Sequence, residues 1–92
     1  MESINKILQE RGDNYGDFIT QAYLSQQLKA LVVKGENWGD MRPFQAEAMS
    51  MIIHKIARII NGDPDYVDSW RDVEGYAKLV ADILESHKTD PN

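Results

Sequence analysis

The sequence predicts an all-α fold: an antiparallel bundle of three main helices and a short N-terminal helix, built around a helical hairpin. Two long segments, Pro43–Asn61 and Pro64–Leu84, repeat apolar residues at helical spacing and are separated by two residues. Helices joined by so short a turn run antiparallel. No stretch alternates with period two long enough to form a strand, and 92 residues suit one helical domain spanning 1–92.

The first helix is expected over Met1–Arg11, with Ser3 as its cap and Gly12 as its end. Its apolar residues are Ile4, Ile7 and Leu8. After the turn formers of Asp13–Asp17, a helix of about four turns is predicted from Phe18 to Gly35. Its stripe consists of Phe18, Leu24, Leu28, Leu31 and Val32.

A polar linker, Glu36–Arg42, leads to Pro43, which opens the hairpin. In the hairpin turn we expect Gly62 to take the left-handed position that ends a helix. Asp63 then caps the next helix and Pro64 occupies its first position. The polar tail, residues 87–92, is expected to fray.

The antiparallel register brings together residues whose numbers add to about 125. The expected pairs are Arg58 with Asp68, His54 or Lys55 with Asp72, and Glu47 with Lys78. Asp72 falls within the apolar arc of its helix, between Tyr76 and Leu79, so we expect it to be buried. These pairs are either structural ion pairs that set the register, which we favour, or part of a catalytic site. The residues of this polar cluster are Glu47, His54, Lys55, Arg58, Asp68, Asp72 and Tyr76.

Composition excludes several function classes. Ten basic and fifteen acidic residues give a net charge of −5 without a basic run, so duplex nucleic acid is not an expected partner. The chain has no cysteine, which excludes thiolate catalysis and cysteine-ligated zinc. No apolar run approaches the roughly 20 residues of a membrane span, and no signal peptide is visible. A cytoplasmic location without a membrane partner is expected.

Chemical motifs are sparse, and no catalytic residue or cofactor is expected from them. Tyr15, Trp38 and Tyr66 lie in predicted loops, where they either contact a ligand by stacking or seal the ends of the bundle. Ile19 and Tyr23 lie opposite the Leu24–Leu28 stripe. Such uncovered apolar surface predicts a symmetric homodimer.

Three groups of short motifs are distinctive: Ile7–Gly12 with Tyr15–Phe18, Lys55–Ile59 with Asn61–Tyr66, and Asp68–Asp72 with Gly75–Ala77. Together they resemble a family of small phage and prophage proteins of unknown function. The resemblance covers roughly Ile7 to Leu84. It implies an accessory protein that acts in the host cytosol, and it carries no established activity.

The last helix has an acidic residue, an aspartate and a tyrosine in that order, at Asp68, Asp72 and Tyr76. In this order it is distantly similar to the metal-binding helix of MazG-like all-α nucleoside triphosphate pyrophosphohydrolases. That resemblance implies Mg²⁺ held by carboxylates on facing helices, with Glu47, Asp68 and Asp72 as candidates. The sequence departs from the pattern because Ser69 stands three residues before Asp72. In addition, the positions facing the two aspartates hold cations or histidine: Arg58, His54 and Lys55.

Two hypotheses follow. We favour a non-catalytic accessory module that binds a nucleotide or a host protein, for example to inhibit a host or defence enzyme. The alternative is a magnesium-dependent pyrophosphohydrolase or a degenerate relative of one. Because cations near the carboxylates would compete with a metal ion, we expect weak or absent magnesium binding.

Overall fold

The computed structural model of the chain describes residues 2–88. These residues form α1 (Glu2–Tyr15), α2 (Phe18–Val32), a 3-10 helix (Trp38–Asp40), α3 (Pro43–Asn61) and α4 (Val67–Lys88). No strand occurs in the described range. The all-α prediction is therefore confirmed.

Helix α3 is the central element, because α2 and α4 pack on it and α2 makes few contacts elsewhere. Both neighbours run antiparallel to α3. On the α4 side Lys55 meets Asp72 while Arg42, at the start of α3, meets His87 near the end of α4. On the α2 side Asn61 meets Asp17, at the start of α2, while Val32 and Met49 line the same hollow. Buried serines, Ser25 of α2 and Ser69 of α4, keep the flanking helices close to it. The predicted hairpin is confirmed, and the apolar residues that are buried between positions 3 and 88 belong to its first helix: Ala48, Ile53, Ala57 and Ile59.

Helix α1 is longer than expected, since it continues through Gly12 to Tyr15 and has Ser3 inside it rather than at its cap. It ends at Gly16, whose φ of +79° is in the left-handed region that favours glycine. The Gly16 N–H donates to the Gly12 carbonyl at 2.8 Å. A contact distant in sequence also holds the last turn, because the Asp63 N–H donates to the Asn14 carbonyl at 2.8 Å.

The hairpin turn differs from the prediction. Gly62 has φ of −122°, which is not left-handed. Glycine is needed there because a Cβ would overlap the backbone of Asn14 and Tyr15, which approach closely. Asp63 and Pro64 lie in the turn, and α4 begins only at Val67.

Helix α4 extends to Lys88, so residues 87 and 88 of the tail that was expected to fray are helical. His87 Nδ1 lies 3.3 Å from an Arg42 guanidinium nitrogen, and its ring meets Phe44 edge to face at 6.5 Å. Residues 89–92 of the predicted tail lie outside the described residues.

The molecule is elongated, measuring 56 × 26 × 25 Å. Its radius of gyration is 16.1 Å, whereas a compact chain of this length has about 12 Å. The difference comes from α1, in which every residue from 3 to 13 is exposed. One helix thus extends from the layer formed by the other three.

Candidate functional site

A pocket of about 310 Å³ lies where α1 and α2 meet above α3. We call it the Tyr15–Arg58 pocket. Its polar and aromatic lining consists of Arg11 and Tyr15 from α1, Asp17 from the junction of α1 and α2, Phe18 and Gln21 from α2, and Arg58 from α3. The volume is within the range of small-molecule sites.

Asn61 fixes the position of this pocket. Its side-chain amide donates to the Tyr15 carbonyl at 3.0 Å and to the Asp17 carbonyl at 2.9 Å. The last turn of α3 therefore holds both sides of the α1–α2 junction. Because α1 continues past Gly12, Arg11 and Tyr15 are one turn apart on the same helix face.

Arg58 is the cation at the base of the pocket. Its guanidinium carbon lies 4.3 Å from the centroid of the Tyr15 ring, which is a cation–π contact. Its Nε atom is buried and has no hydrogen-bond partner within residues 2–88. No salt bridge of the described chain includes Arg58. This guanidinium is therefore positioned by an aromatic ring, and no carboxylate of residues 2–88 forms a salt bridge with it.

The predicted pair of Arg58 and Asp68 is wrong. Asp68 instead accepts a hydrogen bond from the Tyr66 hydroxyl at 2.9 Å, which raises the pKa of that tyrosine. The Tyr66 ring meets the Tyr15 ring edge to face at 5.8 Å. Arg58 contacts the Tyr15 ring and Asp68 contacts Tyr66, so two tyrosines separate the groups that were expected to meet. Two of the three candidate aromatic residues, Tyr15 and Tyr66, therefore contact each other at this end of α3.

At the pocket rim, Asp17 caps α2. Its carboxylate accepts from the Thr20 N–H at 2.9 Å and from the Thr20 hydroxyl at 2.8 Å. These hydrogen bonds hold the pKa of Asp17 below its usual value. The carboxylate is thus occupied in capping, as is usual for aspartate at this helix position.

His54 lies behind the pocket wall, with its Nε2 atom 3.4 Å from the side-chain amide nitrogen of Gln21. Burial lowers the pKa of His54, and the nearby positive charge of Arg58 lowers it further, with smaller contributions from Lys29 and Lys55. A neutral imidazole can accept a hydrogen bond from the Gln21 amide. His54 is therefore suited to orient Gln21.

Of the two partners predicted for Asp72, His54 or Lys55, it is Lys55 that makes the contact, with a distance of 3.1 Å between Lys55 Nζ and Asp72 Oδ2. The predicted burial of Asp72 is wrong, because its side chain is 49% exposed while that of Lys55 is 13% exposed. The stem of Lys55 lies between α3 and α4, and its ammonium group binds the Asp72 carboxylate at the edge of the contact between these two helices. Tyr76 is half-buried beside Asp72 in a shallow cleft on the outer side of α4.

The predicted pair of Glu47 and Lys78 is also wrong. Lys78 binds Asp82 of its own helix at 2.7 Å, and this contact raises the pKa of Lys78. Glu47 is exposed on α3. Within residues 2–88, no group of three or more His, Asp or Glu side chains is placed to hold a metal ion. The candidate magnesium ligands, Glu47, Asp68 and Asp72, are thus not brought together.

Trp38 belongs to a separate region at the opposite end of α3. It lines an apolar hollow with Val32, Met41 and Met49. The two methionines also line a groove of about 350 Å³ between α3 and α4, which we call the α3–α4 groove. Trp38 therefore does not act with Tyr15 and Tyr66.

The profile of a family described as "Domain of unknown function (DUF6378)" matches residues 1–84. The chain belongs to the DUF6378 family. No curated protein and no solved structure matches it. The match includes every residue that lines the Tyr15–Arg58 pocket of this DUF6378 chain. Within the described residues, none of its helices is long and apolar enough to cross a membrane.

Arg11, Phe18, Gln21 and Asn61 were not predicted as site residues. The four-residue spacing of Arg11 and Tyr15 indicates that both side chains lie on one helix face, but this holds only if the helix continues past Gly12. Gln21 and Asn61 gave no local signal, because their roles depend on how α2 and α1 meet α3.

Proposed function

We propose that this DUF6378 chain is a non-catalytic binding module that takes a nucleotide in the Tyr15–Arg58 pocket. The observation that carries the proposal is the Arg58 guanidinium, which is stacked on Tyr15 and has a buried Nε without a partner. A buried polar atom without a hydrogen bond calls for an explanation, and a bound ligand is one. A guanidinium binds phosphate oxygens through its planar fork, and Arg11 adds a second one at the rim.

The other pocket residues suit the remainder of a nucleotide. Phe18 is 72% exposed at the mouth of the pocket, where its ring can stack on a base. Gln21 can both donate and accept hydrogen bonds, which would allow it to contact a base edge or a sugar hydroxyl. The motif resemblance to small phage and prophage proteins supports an accessory role in a host cell.

The alternative of a magnesium-dependent MazG-like pyrophosphohydrolase has less support. Lys55 lies 3.1 Å from Asp72, so a cation occupies the place where a metal ion would bind that carboxylate. The three candidate carboxylates also lie apart on the hairpin. The proposed module therefore needs no magnesium to bind its ligand.

A thermal-shift experiment tests this proposal. ATP, dATP, adenosine and inorganic phosphate are compared in EDTA and in magnesium. Ligand at ten times its Kd stabilises a native state by about 1.4 kcal/mol, or roughly 6–11 °C for a domain of this size. We expect the triphosphates to raise the midpoint in EDTA and Arg58→Gln to abolish the shift.

The matched control is Arg71→Gln, which removes an exposed arginine of α4 that binds Glu74 at 3.1 Å. This variant should retain the full shift. An equal shift in Arg58→Gln, or no shift with any nucleotide, would reject the proposal. A shift that requires magnesium, together with release of pyrophosphate, would favour the hydrolase instead.

We also propose that the protein acts as a symmetric homodimer. Ile19 is 78% exposed and Tyr23 is 63% exposed, both on α2. Only four apolar side chains are buried within the described chain, which is a small core for a domain of this length. Sedimentation at tens of micromolar, where modest interfaces of about 1,200 Å² persist, should show a dimer. A clean monomer would contradict this part of the proposal.

A further inference from the structure

Gln21 is a buried polar residue on the wall of the Tyr15–Arg58 pocket. It is only 4% exposed, and it is among the residues that line the pocket. Its side-chain amide nitrogen lies 3.4 Å from Nε2 of His54. Its side-chain carbonyl oxygen has no hydrogen-bond partner within residues 2–88, yet it is not sealed from solvent. Because buried polar groups in proteins are normally paired, this oxygen is available to a ligand of the pocket.

The contact with His54 determines the orientation of the Gln21 amide. An amide nitrogen can only donate, so the imidazole nitrogen that faces it has to accept. Neutral imidazole has one donor and one acceptor nitrogen, which places the proton of His54 on Nδ1. The amide nitrogen of Gln21 is thus held toward α3. The carbonyl oxygen, on the other side of the same planar group, is left for the pocket.

The surroundings of His54 favour this neutral, accepting form. Burial lowers the pKa of the imidazole most, and three cations of α2 and α3 lower it further: Arg58, Lys29 and Lys55. On the α4 side, the Asp72 carboxylate is bound by Lys55. Helix α1 adds another cation, Arg11, to the pocket. At neutral pH the ring is therefore an acceptor toward Gln21.

The position of Gln21 relative to Phe18 points to the base of a nucleotide. The two residues are three apart on α2, so they lie on one face of that helix. A base that stacks on the exposed Phe18 ring would turn its edge toward the Gln21 amide, while Arg58 binds the phosphates. The Gln21 carbonyl accepts only from a donor, so the edge of that base has to offer one.

We propose that His54, acting through Gln21, makes the pocket selective for a nucleobase with an exocyclic amino group on this edge, which is adenine or cytosine. The inference rests on the nucleotide binding proposed above and names its substrate class. The amino group of adenine or cytosine donates to the Gln21 carbonyl. The keto oxygen at the same position of hypoxanthine or uracil would instead face another acceptor. His54 contacts Gln21 rather than the base, so it is a positioning residue.

Nucleotide pairs that differ in this one group test the selectivity. Calorimetry with the full chain in EDTA compares ATP with ITP, and CTP with UTP, at neutral pH. We expect the amino-bearing nucleotide of each pair to bind at least about fivefold more tightly, because a keto group leaves the buried Gln21 carbonyl unpaired. His54→Ala should bring both ratios close to one, since Gln21 can then turn its amide. His87→Ala is the matched control, because it removes the other histidine, which lies beside Arg42, and it should keep both ratios.

Two further measurements on the unsubstituted chain cover the case in which His54→Ala disturbs folding. Imidazole nitrogen chemical shifts should place the proton of neutral His54 on Nδ1, and a proton on Nε2 would overturn the inference. Below about pH 6.5, protonated His54 donates at both nitrogens, so Gln21 should turn and the preference for ATP over ITP should decline. The added positive charge affects both nucleotides equally, because they carry the same triphosphate. A ratio that stays constant with pH while His54 titrates would reject the proposed role.

The outcomes separate this inference from the proposed function. Equal dissociation constants within both pairs would reject the selectivity and retain the nucleotide pocket. Ratios that persist in His54→Ala would assign the selectivity to another group and reject the role of His54. No binding of any nucleotide would reject both the inference and the function on which it rests.

Discussion

The ion pair between Lys55 and Asp72 allows a quantitative test of whether these groups are structural. Asp72→Ala removes the carboxylate and leaves the Lys55 ammonium in the α3–α4 contact, where its side chain is only 13% exposed. Because lysine has a flexible stem, the ammonium can turn toward water at the edge of the contact. The variant should therefore be destabilised, and it should still fold.

The magnitude follows from the exposure of the two partners. Removing one member of a fully buried ion pair lowers the free energy of unfolding by about 3–5 kcal/mol, and this is the loss expected if Asp72 were buried. Asp72 is 49% exposed, however. Two charges 3.1 Å apart attract by only about 1.3 kcal/mol in a water-like dielectric, and exposed pairs contribute about 0.2–1 kcal/mol. We expect a loss near 1 kcal/mol, or about 4–8 °C in the unfolding midpoint.

Urea denaturation in EDTA measures this loss, and a double-mutant cycle isolates the pair. Lys55→Met keeps the apolar stem and removes the charge, so Asp72→Ala should cost little in that background. Asp82→Ala is the control, since Asp82 forms an exposed pair within α4. An unchanged or raised midpoint for Asp72→Ala would refute the structural role. It would instead indicate carboxylates that repel one another in the absence of a metal ion.

Three further predictions concern the junction of α1, α2 and α3 and the histidine beneath it. Asn61→Ala should lower the free energy of unfolding by about 1–3 kcal/mol, because two hydrogen bonds are lost. Asn61→Asp should lower it further, because the new carboxylate faces the carbonyl oxygens of Tyr15 and Asp17. Equal thermal midpoints for the two variants would contradict this prediction. Gly16→Ala should destabilise by more than 1 kcal/mol, because φ is +79° and a Cβ would overlap Asn61. Gly12→Ala should instead stabilise the protein by about 0.5–1 kcal/mol, because Gly12 is helical and has open space around it. If the urea midpoints of the Gly16→Ala and Gly12→Ala variants move in the same direction, the reasoning for the two glycines is refuted. Because the pKa of His54 is lowered in the folded state, the unfolded state binds the proton more tightly. The free energy of unfolding should therefore be fully present above pH 6.5, the usual histidine pKa, and should fall as the pH drops below that value. His54→Gln should flatten that part of the pH profile of unfolding, and a profile that stays unchanged would show that another group is responsible.

Interactions within a few residues determined the helices, so the sequence alone was sufficient to predict them. The periodicity of α3 and α4 predicted the hairpin, and its register placed His54 or Lys55 opposite Asp72, of which Lys55 makes the contact. The same register did not bring Arg58 to Asp68, because Arg58 contacts Tyr15 and Asp68 contacts Tyr66. Neither tyrosine contact follows from the spacing of residues within α3 and α4.

Only the tertiary structure decided the ends of the helices near the pocket and the pocket itself. Gly12 reads locally as a helix end, but a hydrogen bond from Asp63, about fifty residues away, holds the last turn of α1. Gly62 reads as a left-handed cap, yet it is required by the backbone of α1 lying against it. The Tyr15–Arg58 pocket combines residues from three helices through Asn61. The sequence could not reveal these contacts, because each depends on where a distant segment lies after the chain has packed.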